Sequence, residues 1–149
     1  MRITARKAGV FACAFVCTLL TAAPPDTPYT RVSKLASYLS DGESVGALEA
    51  FDKNMQRYGA IAEKIQALSA QTEVLCSIDV VEDKEADNDA SDVHHLDLDW
   101  YMMLKSKTDS SLVERRRQRV AVTLQRNSRR VWRITSLSPE EILAPIAIK

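Results

Sequence analysis

The stretch VHHLDLDWYMMLK, residues 93–105, decides how the second half of this chain folds. Leu96, Leu98, Trp100, Met102 and Leu104 recur at every second position, and His95, Asp97, Asp99, Tyr101, Met103 and Lys105 fill the alternate ones. Successive side chains of an extended strand point to opposite faces, so this period predicts a long strand with a dry even-numbered face and a wet odd-numbered one. His94 shares the parity of Leu96 and Trp100, whereas His95 points away. Adjacent histidines on opposite faces of a regular strand cannot ligate one ion, which argues against a metal at this pair.

The flanking segments continue the pattern. VLCSIDVV (74–81) is β-branched and alternating enough for a strand, with the orientation of Asp79 ambiguous, and the acidic, small-residue run EDKEADNDASD (82–92) reads as a solvated hairpin loop. That loop lacks the glycine and terminal glutamate of a calcium-binding loop, so no metal is expected there. KSKTDSS turns the chain, and VERRRQRVAVTLQR (113–126) returns it with Val120, Val122 and Leu124 on one face and Arg115, Arg117, Arg119, Ala121 and Thr123 on the other. QRNSRR then leads into VWRITSL (131–137). A loop at Asn127–Arg129 would set Leu124 opposite Trp132 and Val122 opposite Ile134, making the apolar faces coincide. A similarly tight turn near Asp109 and Ser110 brings Asp97, Asp99 and Tyr101 near Arg117, Arg119 and Ala121. Exposed opposite charges on neighbouring strands contribute about 0–1 kcal/mol per pair and are a common way to build an outward face.

Before residue 72 the period is helical. Thr27 can cap and Pro28 can take the first helical position ahead of Val32, Leu35, Ala36 and Leu39. The chain is expected to break at Gly42, where Ser40 and Glu43 have capping-box spacing, and to restart as a second helix with Val45, Leu48 and Phe51 inward. Met55, Tyr58, Ile61, Ile65 and Leu68 form the stripe of a third. At the other end Ser138, Pro139 and Glu141 announce a short capped turn that Pro145 stops.

The chain opens with Arg2, Arg6 and Lys7, an apolar run from Ala8 to Leu20, and small residues at Thr21-Ala22-Ala23. This is the layout of a cleaved secretory leader, so we read 1–23 as a signal peptide, 24–149 as one domain, and the location as secreted or periplasmic. The run is too short to span a bilayer. Cys76 is then the sole thiol, which removes any intramolecular disulfide and suits an inert buried cysteine. The 20 basic and 20 acidic residues of the whole chain balance, and loss of the basic leader leaves a slightly acidic domain. That balance, with no Gly-rich phosphate loop, argues against a nucleic-acid binder and names no cofactor.

Three helices followed by antiparallel strands and a closing turn give an α+β order. LASYLSDGESVGALEAFDKNM (35–55) and RRVWRITSLSPEEILAP (129–145) resemble the nuclear transport factor 2-like, or SnoaL-like, superfamily, in its uncharacterised secreted bacterial type. The resemblance implies three N-terminal helices packed on the concave face of a curved antiparallel sheet of about four long strands, a cone-shaped, cystatin-like roll. It also implies an apolar pocket inside the cone, carried here onto Tyr38, Tyr58, Leu98, Trp100, Met102, Trp132 and Ile134. The expected function is non-catalytic binding of a small apolar ligand. One alternative is a lyase or isomerase with His94 as general base. Another is an interaction or dimerisation module whose outer sheet face presents Asp97, Asp99, Arg117, Arg119 and Arg133, with a second copy of the chain as partner.

Overall fold

The computed structural model describes residues 25–147; the expected leader lies outside them. Three helices, α1 (Pro28–Ser40), α2 (Ser44–Leu48) and α3 (Tyr58–Gln71), precede four strands, β1 (Thr72–Asp83), β2 (Val93–Ser106), β3 (Leu112–Arg126) and β4 (Trp132–Ser138). A 3₁₀ turn at Glu140–Leu143 closes the order. The strands pair as one antiparallel sheet in the order β1-β2-β3-β4, curved and not closed on itself, with the helices against one face. This is the α+β architecture expected from the sequence.

Local chemistry sets the helix ends. The Thr27 side chain accepts from the Thr30 amide, and the Thr30 hydroxyl in turn accepts from the Thr27 amide. Two of the amides that a helix N-terminus leaves unpaired are thus satisfied. At the other end of α1 the Glu43 amide donates to Tyr38 O (2.9 Å) and the Gly42 amide to Leu39 O (3.3 Å), with Gly42 at φ 71°. This left-handed C-terminal stop is what a glycine permits without a Cβ penalty. Ser40 does not cap the next helix, as its spacing suggested: its Oγ accepts from the Cys76 amide (2.9 Å) and joins α1 to β1. The closing turn likewise has no side-chain cap.

The second helix is shorter than its pattern. It ends at Leu48, so Val45 is 75% exposed rather than inward, and Phe51 leaves the helix to bridge Ile134 at the edge of β4. Leu48 and Phe51 are buried as expected.

On β2 every even-numbered residue from His94 to Leu104 is buried and every odd-numbered one is at least partly exposed, as the alternation requires. Between β3 and β4 the ladder differs from the expected one. Leu124 faces Ile134, Gln125 faces Arg133 and Arg126 faces Trp132, and an irregularity at Thr123/Leu124 then puts Val122 opposite Leu137. The hairpin turn is longer than Asn127–Arg129, with Asn127 Oδ1 accepting from the Arg129 and Val131 amides. The first pairs differ from expectation by two residues, an even shift that leaves each side chain on its own face; beyond the irregularity the difference is three, which turns Leu137 inward beside Val122. The core therefore survives the different register.

Candidate functional site

The side-chain cluster with most chemistry lies where β1 ends. β1 carries Val74, Cys76, Ile78 and Val80 on its inner side and Leu75, Ser77 and Asp79 outward. The ladder to β2 then breaks: Val80 faces Leu98, Glu82 faces Asp97 and Asp83 faces Leu96, leaving Val81 as an extra residue. Such a bulge switches the parity of everything after it. Asp83, an odd-numbered residue in a segment that reads as loop, is thereby aimed into the interior beside Leu96.

There it meets His94. The imidazole Nδ1 lies 2.9 and 3.0 Å from the two Asp83 oxygens, and the two side chains are only 7% and 4% exposed. The same carboxylate accepts from the Tyr29 hydroxyl at the start of α1 and from the Glu85 amide (3.0 Å). Burial alone would push the Asp83 carboxyl up, but these donors outweigh it and hold the group below its ordinary value. Asp83 is therefore ionised at neutral pH and can only accept, so Nδ1 of His94 carries the proton and donates it. In the neutral ring that leaves Nε2 with the lone pair, and among the described residues it has no hydrogen-bond partner. Tyr29, half exposed above the pair, has its pKa pushed up to about 12, first by its bond to Asp83. It stays protonated and acts as a donor. The Trp132 ring meets His94 edge-on, with centroids 5.1 Å apart at 86°, and carries the Arg126 guanidinium on its own face at 5.4 Å.

On the other side of the strand, Glu85 accepts from the amide and from ring Nδ1 of His95, both at 2.6 Å. The His95 amide foremost holds the Glu85 carboxyl below its usual value. Ligand atoms of Asp83, Glu85 and His94 fall within 4.8 Å of one another. A metal ion there would compete with hydrogen bonds that Tyr29, His94, His95 and the Glu85 amide already make to these oxygens.

The residues expected to line a pocket occupy the interior. Leu98, Trp100, Met102 and Ile134 are fully buried, Trp132 nearly so, and Tyr38 and Tyr58 pack partly buried against them. Of the seven residues, only Tyr38 lines one of the more prominent clefts of the described surface, beside α2. The expected outer-face residues are distributed as follows. Arg117 makes a two-pronged pair with Asp99 (2.7 and 3.1 Å), which holds that carboxyl low, and Asp97 shares a cleft with Arg119. Arg133 donates instead to the Glu49 carbonyl. Sequence reasoning placed His94 inward but missed its carboxylate partner and Tyr29; the paired Val80-Val81, which interrupts the alternation, is the signal that a bulge was there.

The chain superposes on a conserved protein from Planctomyces limnophilus with a TM-score of 0.62 at 5% identity, over 73% of this chain and 88% of that one. It superposes on a nuclear transport factor 2-like superfamily protein from Salmonella enterica serovar Typhimurium with a TM-score of 0.55 at 10% identity, over 80% and 89%. The fold is nuclear transport factor 2-like. A candidate dehydratase of the same family from Streptomyces avermitilis gives a TM-score of 0.54 at 11% identity, over 73% and 90%. No family model and no curated protein matches the sequence. At these identities the nuclear transport factor 2-like likeness concerns the fold alone, and function has to be argued from the side chains.

Proposed function

We propose that the protein is a secreted or periplasmic acid–base catalyst of the lyase or isomerase type, with His94 as general base and Asp83 as the residue that orients it. The observation that carries this reading is the buried contact between His94 Nδ1 and both Asp83 oxygens. A carboxylate on Nδ1 fixes the tautomer, leaves Nε2 as the base, and stabilises the imidazolium formed when the base takes a proton. The step is removal of a proton from carbon next to a carbonyl, with the bonding electrons moving onto the carbonyl oxygen. Return of the proton elsewhere gives an isomer; collapse of the enolate electrons into a C=C bond, with a β-hydroxyl leaving as water on the proton held at Nε2, gives a dehydrated product. Export rests on the leader-like segment 1–23. Among the described residues no helix is long and apolar enough to cross a membrane.

The test is deuterium exchange into a panel of small ketones and β-hydroxycarbonyl compounds in D₂O, followed by proton NMR. His94→Gln should abolish catalysed exchange. Asp83→Asn should lower it by about 10²–10⁴-fold through the wrong tautomer. Equal exchange by wild type and His94→Gln would remove the proposal. Binding of a small apolar molecule inside the cone has less support, because Leu98, Trp100, Met102 and Ile134 are fully buried in one packed cluster, whereas His94 keeps 5% exposure.

A second reading rests on the outer sheet face. Leu75 is 49% exposed there, opposite Met103 on β2, beside the Asp99–Arg117 pair. An apolar strip rimmed by paired charges suits a second copy of the chain. Light scattering across a concentration series, with Arg117→Glu and Arg119→Glu as the control, checks it: a mass equally independent of concentration in both proteins excludes pairing.

A further inference from the structure

A cleft of about 390 Å³ lies between the segment that follows α2 and the β3–β4 hairpin. Its lining includes Lys53, Arg126, Arg133, Asn54, Asn127 and a single carboxylate, Asp52. Counted on these side chains, three cations less one anion leave a formal charge of +2.

The polar groups are held in place. Asp52 Oδ1 accepts from the Asn54 amide (2.8 Å), and the Asp52 amide donates to Ile134 O (2.8 Å), so the segment bearing Lys53 is tied to β4. Arg133 is steadied by the Glu49 carbonyl, which neutralises no charge. Arg126 lies on Trp132, and its ion-pair partner Asp92 is 69% exposed and outside the cleft lining. Asn127 uses its Oδ1 on the Arg129 and Val131 amides (both 3.0 Å), which leaves its NH₂ as a donor. Among the described residues neither Lys53 nor Arg133 forms an ion pair. Elsewhere in the chain, by contrast, Asp83 and Glu85 already have their oxygens occupied. With Arg126 paired to Asp92, Lys53 and Arg133 are the cations left without an ion pair around this concavity; such cations attract an anion, and guanidinium forks suit tetrahedral oxyanions.

We infer that this cleft binds a small phosphate-bearing molecule of the phosphomonoester class, whose dianionic head takes donors from Lys53, Arg126 and Arg133. The two negative charges of such a head meet Lys53 and Arg133, the two lining cations that form no ion pair among the described residues. The volume suits a small molecule rather than a nucleic acid. Neither His94 nor Asp83 lines the cleft, although Trp132 touches both His94 and Arg126, and the binding does not depend on the activity proposed for that pair.

The test uses the secreted-length chain in chloride buffer, titrated with inorganic phosphate and with phenyl phosphate, and followed by ¹H–¹⁵N NMR. Saturable shifts are expected at the Asn54 and Asn127 amides and at the Arg126 and Arg133 Nε–H signals. Lys53→Ala combined with Arg133→Ala should weaken binding by about tenfold or more. If that double variant does not fold, the single Lys53→Gln and Arg133→Gln variants should each weaken it. Absence of saturation up to about 50 mM phosphate, well short of useful affinity, overturns the inference. So do shifts spread over Arg115, Arg117 and Arg119 that the cleft variants leave unchanged, because they would mark ions condensing on a basic surface.

Discussion

Asp83 and His94 stand 11 residues apart in the chain and meet at 2.9 Å across the base of the hairpin that joins β1 and β2. Asp83 also receives Tyr29 from α1, so one carboxylate connects a helix and two strands. Asp83→Asn should cost about 1–3 kcal/mol at neutral pH, the usual cost of spoiling a buried charge-assisted network. Because folding lowers the pKa of Asp83, its contribution is complete above the unfolded value and is lost as pH falls through the lower folded value. Urea unfolding of wild type and variant should therefore differ at pH 6 and converge in strong acid.

Glu140, in the closing turn, accepts from Arg57 and from Lys64 of α3 (2.8 Å). The Arg57 bond first, and Lys64 next, lower its pKa from 4.5 to about 2. Its contribution is present above pH 4.5 and disappears between there and about pH 2. Glu140→Gln should destabilise by no more than about 1 kcal/mol at neutral pH. In thermal melts the gap should vanish near pH 2.

Gly46 faces the Tyr38 ring so closely that a Cβ would sit 2.4 Å from Cδ1. Alanine improves helix propensity, yet here it must displace a partly buried ring from the junction of α1 and α2. Gly46→Ala should therefore destabilise by about 1–3 kcal/mol, as overpacking does. Pairing it with Tyr38→Ala should recover part of the loss, measurable as a coupling in a double-mutant cycle.

Burial pushes the Cys76 thiol up to about 12, with the Trp100 indole a smaller opposing influence. The folded protein should then react with a thiol-specific disulfide reagent at pH 8 at least about 100-fold more slowly than the urea-unfolded chain. Equal rates in both states would show that Cys76 is accessible in the folded state.

Much of this structure is legible in the sequence because one-sided burial imposes a period. The stripe Ile61, Ile65, Leu68 and the alternation from His94 to Leu104 each place their residues correctly, and the two-residue difference in the first β3–β4 pairs, Leu124 to Arg126, changed no face. Legibility ends where a local irregularity overrides the period. Val81 inserts one residue into β1 and sends Asp83 inward, which no count of alternation across an acidic loop predicts. Val45 fits a helical stripe, but α2 ends after five residues and leaves it in water. Half of the candidate site is thus readable from parity and half is made by a bulge.

The outer strands also limit how this protein can associate. Along β4, the Trp132 amide donates to Asp26 and the Ile134 amide to Ala50 O, while on β1 the Cys76 amide is engaged by Ser40. Where those donors are spent, a foreign β-strand finds no free rung to extend the ladder. Self-templated growth is discouraged at those rungs, which leaves the broad faces of the sheet as the easier approach for a companion.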